Sequence, residues 1–200
     1  MQLERFYLPD ADILFCPGFF NQAQSNQLFE KLLNEIHWEN GTVKIFGKIL
    51  AEPRQTAWYG DERLVYTYSG KQQQTKAWTE ALLIIKQKIE TILTIQFNSV
   101  LLNLYRNGKD SVGWHSDDEK ELGQNPIIAS ISFGASRTFR LKHRENPSLR
   151  QNIELTHGSL LIMKGTTQHF WKHQIPKTRT PVQPRVNLTF RNIKNTISAK

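Results

Sequence analysis

The chain of 200 residues has almost no cysteine and no long apolar run. Its single cysteine, Cys16, excludes an intramolecular disulfide, a CxxC pair and a zinc site built on Cys/His pairs. No stretch reaches the roughly 20 apolar residues that a membrane-spanning helix needs, and the start of the chain lacks an apolar run behind basic residues. We therefore expect a soluble, unexported protein of a reducing compartment, cytoplasmic or, in a eukaryotic host, nuclear.

Acidic side chains are scarce as well. Eighteen Asp and Glu residues face 26 Lys and Arg residues, which gives a formal net charge of +8 and a pI near 9.6. This balance favours a polyanionic partner, because each phosphate that a basic protein neutralises releases counterions. Many basic proteins bind no nucleic acid, so the charge permits such a partner without identifying it.

Two stretches have the periodicity of amphipathic helices. Asn21 has the features of an N-cap, with Gln24 three residues later, and apolar residues then recur every four residues over about 22–37. A second helix is predicted over about 75–94, where apolar residues follow helical spacing and charged residues supply the opposite face. Between the two helices, glycines separate short runs rich in Val, Ile, Thr and Tyr, which is typical of hairpins.

Almost everything after residue 97 has the pattern of short strands separated by turn residues. Such a series predicts an antiparallel barrel or jelly roll. We expect one α+β domain over residues 1–200, in which N-terminal helices (about 1–97) back a cupin-like double-stranded β-helix (about 98–193). The predicted strands lie at 99–106, 127–134, 137–143, 151–156, 158–164 and 185–191.

A group of histidine and aspartate residues has the features of a metal site. His115 and Asp117, in the segment GWHSDDE, are two residues apart, so on a strand both side chains point to one face. His173, just before the last strand, is the best third ligand, and His169 competes with it. Two imidazoles and one carboxylate on one side of an ion leave positions open for a cosubstrate and oxygen, as in non-haem Fe(II) oxygenases. Zinc hydrolases also combine these ligands, and a bare HxD motif is as often a hydrogen-bonded pair.

The remaining histidines have structural interpretations. His37 ends the first helix, His143 lies in a basic loop and His157 precedes a glycine in a turn. What favours His173 as the third ligand is its placement upstream of the two arginines in the last strand.

That last strand, PRVNLTFR, alternates between an apolar and a polar face. Its polar positions are Arg185, Asn187, Thr189 and Arg191. Arginine binds a carboxylate through two parallel hydrogen bonds, which would make this face an anion receptor. The two arginines lie about 20 Å apart along an extended strand, so their side chains must lean together to share one small dicarboxylate. An edge strand with a solvated polar face is the alternative.

Four segments together resemble the AlkB family of Fe(II)/2-oxoglutarate dioxygenases, most closely its DNA-repair, duplex-acting branch. They are NLYRNGKDSVGWHSDDE, SISFGASRTF, HGSLLIM and HQIPKTRTPVQPRVNLTFR, within residues 43–193. The resemblance implies Fe(II) as the metal, with 2-oxoglutarate and O2 as cosubstrates. It makes His115, Asp117 and His173 the catalytic iron ligands. It assigns 2-oxoglutarate binding to Asn103, Tyr105, Arg185, Thr189 and Arg191, with Asn187 as a further contact.

The function implied by the resemblance is oxidative dealkylation of bases in DNA, such as N1-methyladenine and N3-methylcytosine. Decarboxylation of 2-oxoglutarate is coupled to hydroxylation of the carbon on a base nitrogen, and loss of an aldehyde restores the base. Because an alkyl group on a Watson–Crick nitrogen is hidden in a duplex, the nucleotide must be single-stranded or flipped out. An RNA or tRNA demethylase of the same family is one alternative, and a non-catalytic nucleic-acid binder is another.

The N-terminal hairpins would then form a base-recognition lid. Phe46 is predicted to wedge into the base stack from a hairpin tip, with a place in the core as its alternative. Tyr68 would hold the flipped base against His115. Asp118 has an alternative role as a hydrogen-bond partner of the iron ligands. The base contacts that the resemblance implies are Phe46, Gly47, Lys48, Arg54, Tyr66, Tyr68, Asp118 and Glu119.

Two basic stretches flank the predicted site and are expected to contact phosphates. They are RTFRLKHRENPSLR and PKTRT. Such contacts position a strand without reading its sequence. The predicted phosphate contacts are Arg137, Arg140, Lys142, Lys177 and Arg179. We expect a monomer that acts on alkylated DNA or RNA without a membrane or an obligate protein partner.

Overall fold

The N-terminal part of the chain forms two short strands and a helix. The computed structural model, which describes residues 2–45, 48–62, 64–68 and 71–194, places β1 at Glu4–Phe6, β2 at Asp12–Cys16 and α1 at Gln22–Glu35. The predicted capping box is confirmed. The Asn21 side chain accepts a hydrogen bond from the backbone N–H of Gln24, whose own side chain accepts from the backbone N–H of Asn21.

Two hairpins follow, as the glycine-punctuated pattern predicts. In the longer one, β3 (Glu39–Ile45) pairs with β4 (Lys48–Gly60), and in the shorter one β5 (Val65–Tyr68) pairs with β6 (Lys71–Gln74). Both pairs are antiparallel.

The second helix, α2 (Glu80–Leu93), begins later than the predicted residue 75. Thr79 is its N-cap and accepts a hydrogen bond from the backbone N–H of Leu82, and β6 occupies the residues up to 74. The apolar periodicity extends past the true start because Trp78 also packs against the core.

The six strands predicted after residue 97 are confirmed to within one residue at each end. They are β7 (Ser99–Tyr105), β9 (Ile128–Gly134), β10 (Arg137–His143), β11 (Arg150–Leu155), β12 (Ser159–Lys164) and β14 (Arg185–Arg191). Four elements after residue 97 were not predicted as such: β8 (Val112–His115), a 3-10 helix (Lys120–Leu122), α3 (Thr167–Phe170) and β13 (Trp171–Ile175). His173 therefore lies inside a strand of its own.

The strands form two main sheets, as expected for a jelly roll. The larger sheet has eight strands in the order β1-β2-β12-β9-β14-β7-β4-β3, and the smaller has four in the order β11-β10-β13-β8. Four strands from the first 97 residues join the larger sheet, so the predicted lid segment and the catalytic core share it. Strand β14 lies between β9 and β7, which excludes the alternative of an edge strand.

Apolar side chains pack on both faces of the larger sheet. One cluster joins α1 and α2 to the sheet and contains Leu32, Ile85 and Leu188. The other cluster joins the two sheets and contains Phe139 and Met163. The helices thus cover one side of the larger sheet, and the smaller sheet covers the other. Among the described residues, none of the helices has the length and apolar character required to cross a membrane.

Candidate metal centre and cosubstrate pocket

The three predicted metal ligands meet at one point between the two sheets. His115 ends β8, Asp117 follows two residues later, and His173 stands directly opposite His115 on β13. One ligand atom from each residue lies within 4.8 Å of the others. The two imidazole centroids are 4.2 Å apart, and the ring of Phe139 stacks on that of His173 at 5.0 Å. His169 is outside this group and contacts Asn125, so His173 is the third candidate ligand.

A β-bulge helps to aim His115. Along β13, His173 and Ile175 are two residues apart, but their partners on β8, His115 and Val112, are three apart. The extra residue in β8 lets both Val112 and His115 face the pocket between the sheets. The prediction that both ligands lie on a strand is corrected, because β8 ends at His115 and Asp117 lies just beyond it.

Hydrogen bonding and burial prepare the three predicted ligands to bind a metal. Nδ1 of His115 lies 2.8 Å from the carbonyl oxygen of Gly113, which places the proton on Nδ1 and leaves the Nε2 lone pair for an ion. Burial lowers the pKa of His173 to about 3, so this ring is neutral at pH 7. Burial alone would raise the pKa of Asp117, but the charge of Arg191 and the nearby histidines outweigh it and hold that pKa at about 2. The neutral ring of His173, the carboxylate of Asp117 and Nε2 of His115 are therefore the candidate donors for an ion.

Asp117 is held from two sides. Nη2 of Arg191 lies 2.9 Å from its Oδ1, and its backbone N–H donates to Oε1 of Gln168 at 2.9 Å. Gln168 is almost fully buried on α3. Such outer contacts fix the direction in which a ligand presents its lone pairs.

The polar face of β14 forms the floor of the same pocket. All four of its predicted residues are buried, while the apolar residues of the strand pack on the helix side. Asn187 Nδ2 donates to Ser130 Oγ at 2.8 Å, and Thr189 Oγ1 donates to Asn187 Oδ1 at 3.2 Å. The neighbouring strand β7 adds Asn103 and Tyr105, which stand opposite Asn187 and Arg185 in the register.

Arg185 is a buried cation with unused donors. Its guanidinium lies over the ring of Tyr105, 5.1 Å from the centroid, and its Nη2 donates to Ser132 Oγ at 2.9 Å. Its Nε and Nη1 are buried without a partner in hydrogen-bond geometry. Burial lowers the pKa of Arg185 to about 10, so the group stays charged at neutral pH. A buried charge with open donors fits a carboxylate ligand.

One pocket thus contains both the metal ligands and the anion receptor. The residues fit Fe(II), because the donor set is the facial two-histidine, one-carboxylate set, and they fit 2-oxoglutarate, because Arg185 offers a place for its distal carboxylate. The predicted site residues that line this pocket are Arg54, Asn103, Tyr105, His115, Asp117, Glu119, His173, Arg185, Asn187, Thr189 and Arg191.

Known proteins with similar sequences identify the family. The family described as the 2OG-Fe(II) oxygenase superfamily matches residues 12–191. The chain is 44% identical over 190 residues to alpha-ketoglutarate-dependent dioxygenase alkB homolog 3 of Bos taurus, a match that covers 90% of this chain and 66% of the relative. It is 40% identical over 184 residues to DNA oxidative demethylase ALKBH2 of Homo sapiens, covering 87% of this chain and 70% of the relative.

The chain belongs to the AlkB family of 2OG-Fe(II) oxygenases. A solved structure of OsALKBH1 has the same fold, with a TM-score of 0.67 at 14% identity over 96% of this chain and 100% of that one. The chain spans slightly less than two thirds of the length of the alkB homolog 3 proteins that it matches. Membership of the family implies Fe(II), 2-oxoglutarate and O2.

The base contacts expected from the AlkB family fall into three groups. Arg54 and Glu119 line the pocket. Asp118 is outside it and half-exposed, and its Oδ2 accepts a hydrogen bond from Arg144 at 2.6 Å, so its base contact and its alternative role as a partner of the ligands both stay predictions. Phe46 and Gly47 lie outside the described residues. The strands β4 and β5 contain Lys48, Tyr66 and Tyr68, whose side chains the structure does not describe.

The predicted phosphate contacts require one correction. Arg137 is buried, and its guanidinium donates to the backbone carbonyls of Asp110 and Pro176, so it ties loops together instead of facing solvent. The alternation of β10 explains the error, because Arg137 occupies an inward position. The other four lie at the surface, with Lys142 partly covered: Arg140, Lys142, Lys177 and Arg179.

One more residue differs from the sequence interpretation, and two residues near the ligands were missed. His143 is a buried residue at the end of β10 and not part of a loop; its Nδ1 accepts from the backbone N–H groups of Glu145 and Asn146. Its role is structural, as predicted. Gln168 and Arg144 were missed, because they reach the ligand segment from elements remote in sequence and no local pattern marks them.

Proposed function

We propose that this chain catalyses oxidative dealkylation of alkylated bases in DNA, such as N1-methyladenine and N3-methylcytosine, with Fe(II), 2-oxoglutarate and O2. The observation that carries the proposal is the single pocket in which His115, Asp117 and His173 stand beside the buried, partly unsatisfied guanidinium of Arg185. The names of the relatives, a dioxygenase and a DNA oxidative demethylase, support it. We propose one catalytic domain over residues 1–200, acting as a monomer in the cytoplasm or in the nucleus of a eukaryotic host.

The pocket also has a feature suited to such bases. Methylation at N1 of adenine or N3 of cytosine gives the ring a positive charge. Glu119 lines the pocket, and its Oε2 is buried without a hydrogen-bond partner among the described residues. A carboxylate in this state favours a cationic, hydrogen-bonding base over a neutral one. The roles proposed for Arg54, Phe46 and Tyr68 in holding the base stay predictions.

The residues of the chain perform distinct tasks in the proposed reaction. His115, Asp117 and His173 would hold Fe(II), which with 2-oxoglutarate and O2 supplies the oxidising chemistry.

Other residues position the cosubstrate and the ligands. Arg185 binds and orients the cosubstrate carboxylate, and Asn103 and Tyr105 line the pocket beside it. Arg191 keeps Asp117 ionised and in position. The stacked apolar residues, such as Phe139, exclude water from the pocket.

The test is a mass measurement on a defined oligonucleotide. Protein loaded with Fe(II) without oxygen receives 2-oxoglutarate, O2 and a DNA strand with one N1-methyladenine, and we expect loss of one methylene that depends on 2-oxoglutarate. Asp117→Ala should abolish turnover and leave DNA binding, whereas His169→Ala, a histidine outside the ligand group, should retain turnover.

Each other outcome has a meaning. Succinate formation without demethylation would keep the oxygenase and refute the substrate. Strong preference for methylated RNA over DNA of the same sequence would favour the RNA demethylase alternative. Full turnover by Asp117→Ala would refute the ligand assignment.

A further inference from the structure

The smaller sheet has a second face, which points away from the pocket. Along β10 the residues alternate, so that Phe139 and Leu141 pack between the sheets while Arg140 and Lys142 point outward. The neighbouring strands β11 and β13 contribute further outward residues by the same alternation. In β8, which has the bulge, Trp114 lies on this face because its ring is beside Lys142. We call the following set the basic outer face: Trp114, Arg140, Lys142, Arg150 and Lys172.

Three of these cations stand in a row across neighbouring strands. Lys142 lies opposite Arg150 on one side and opposite Lys172 on the other. Opposed residues have Cβ atoms about 4.5–5.5 Å apart, and like charges at such positions are destabilising. Within residues that the structure describes, none of the four cations of this face forms an ion pair. A bound polyanion would relieve the repulsion.

An exposed aromatic ring stands beside this row. Trp114 is 37% exposed, and Nζ of Lys142 lies 4.5 Å from its ring centroid. An accessible ring next to cations is typical of surfaces that bind single-stranded nucleic acid, where bases stack on the ring and cations follow the phosphates. An acidic protein segment would use the cations but has no need of the ring.

The basic outer face is adjacent to the metal centre. Trp114 directly precedes His115, and Lys172 directly precedes His173. The side chain of His115 is 39% exposed, against 4% for Asp117, so the pocket opens on the side of β8. Strand β8 is the last strand of the smaller sheet as described, so a polymer leaving the pocket reaches Trp114 by passing round one strand.

We propose that the basic outer face binds the single-stranded flank of the nucleic-acid substrate. Trp114 stacks a base next to the site, and Lys172, Lys142 and Arg150 contact successive phosphates. The identity of the polymer rests on the proposed function, but the binding itself requires no turnover.

The first experiment measures binding alone. The labelled probe is undamaged single-stranded DNA of about 15 nucleotides, a length within the range that single-strand-binding surfaces cover. For Lys142→Gln/Lys172→Gln we expect about tenfold weaker binding and a log–log salt slope that is shallower by about 1.4, since each lost phosphate contact removes about 0.7. The control Gln27→Glu/Gln87→Glu lowers the net charge by the same amount on α1 and α2, and should leave the slope unchanged.

The aromatic ring is tested separately. Trp114→Ala should weaken binding about tenfold without changing the slope, and Trp114→Phe should restore the affinity.

The second experiment separates the flank from the reaction. On an alkylated trinucleotide, too short to reach Lys142 or Lys172, the Lys142→Gln/Lys172→Gln variant should retain kcat and KM, whereas its KM should rise on the longer strand. If the variant binds the long strand as tightly as the control and with the same slope, the proposal is overturned, and an acidic protein becomes the better partner. If the unaltered protein dealkylates neither substrate but the salt slope still changes, the proposed function fails and the binding face stands.

Discussion

Arg185 is a buried cation with two unsatisfied donors, which we propose bind a carboxylate of 2-oxoglutarate. An unpaired buried charge costs stability, so Arg185→Met should unfold at no lower temperature than the unaltered protein when 2-oxoglutarate is absent. Ligand at a hundred times its Kd should add about 2.7 kcal/mol to the unaltered protein and almost nothing to the variant. Thermal unfolding with and without 2-oxoglutarate measures both effects. Arg140→Met, an exposed arginine, is the control, and equal stabilisation of both variants would refute the role of Arg185.

Gln168 acts on the metal centre through the backbone of Asp117. Gln168→Leu leaves that buried N–H without an acceptor, which should cost about 1–3 kcal/mol of unfolding free energy. The loss of an outer partner should also weaken metal binding about 10- to 100-fold. Titration with Fe(II) in the absence of oxygen measures the affinity. Gln174→Leu changes the same residue type on the outward face of β13, and an equal effect there would remove the special role of Gln168.

Residues that lie in short motifs could be predicted from the sequence, whereas residues that contact the site from remote segments could not. His115 and Arg185 could be predicted because chemically distinctive side chains recur in short motifs with a fixed spacing. Gln168 could not, because its contact with Asp117 joins residues 51 positions apart. Arg137 was misplaced for a related reason: a basic residue in a basic stretch suggests exposure, and only the register of β10 shows that it points inward.

At the level of elements, most of the correct predictions of strands and their faces rest on the alternation of apolar and polar residues. The polar face of β14 could be predicted because successive side chains of a strand point to opposite faces of the sheet, in edge strands and central strands alike. What the alternation did not show is that β14 is covered on both sides, since its neighbours β9 and β7 come from distant parts of the chain. The bulge in β8 could not be predicted either, because it is visible only as a shift in the pairing of β8 with β13.

The loop that leads into β8 depends on one carboxylate. Asp110 is buried and accepts hydrogen bonds from the backbone N–H, Nε and Nη2 of Arg106 at 2.8–2.9 Å. Burial alone would raise its pKa, but these hydrogen bonds outweigh burial and lower the pKa below 3.8. Because the folded pKa is lower than the unfolded one, the stabilisation is present above pH 3.8 and is lost as the pH falls through the folded value.

Asp110→Asn should therefore lower the unfolding free energy at pH 7 by about 2 kcal/mol, the value typical of hydrogen bonds to a charged group. The difference from the unaltered protein should shrink below pH 3.8, where the unfolded chain begins to bind a proton at this carboxylate, and should vanish once the pH lies below the folded pKa. Urea unfolding across this pH range measures it. Glu30→Gln, on the exposed side of α1, should show no such dependence, and a constant deficit for Asp110→Asn at all pH values would contradict the electrostatic explanation.

For the whole molecule, the C-terminal jelly roll could be predicted because each strand is bounded by turn residues. Strands β1 and β2 could not. Strand β1 has three mostly exposed residues, and β2 is recognisable only through its pairing with β12, where Phe15 meets Leu161. The three layers of helices, larger sheet and smaller sheet are likewise set by contacts between remote segments.

Gly134 lies where several of those segments meet. It ends β9 with a φ of +86°, and a Cβ there would lie 2.3 Å from the carbonyl oxygen of Pro184 and 2.8 Å from the ring of Phe29 on α1. Gly134→Ala should cost about 3 kcal/mol, combining left-handed strain of about 1–2 kcal/mol with overpacking of a similar size. Because Arg185 stands opposite Gly134 in the register, the displaced backbone should also weaken 2-oxoglutarate binding.

The matched control is Gly18→Ala, since a Cβ at Gly18 has no atom within 4 Å and its φ is not in the left-handed region. Urea unfolding should show a large loss for Gly134→Ala and almost none for Gly18→Ala. Calorimetric titration of 2-oxoglutarate into the folded variant should show the weaker binding. A stable Gly134→Ala protein with unchanged affinity would mean that α1, β9 and the start of β14 can separate without disturbing the anion receptor. The claim that helix packing positions the pocket would then be wrong.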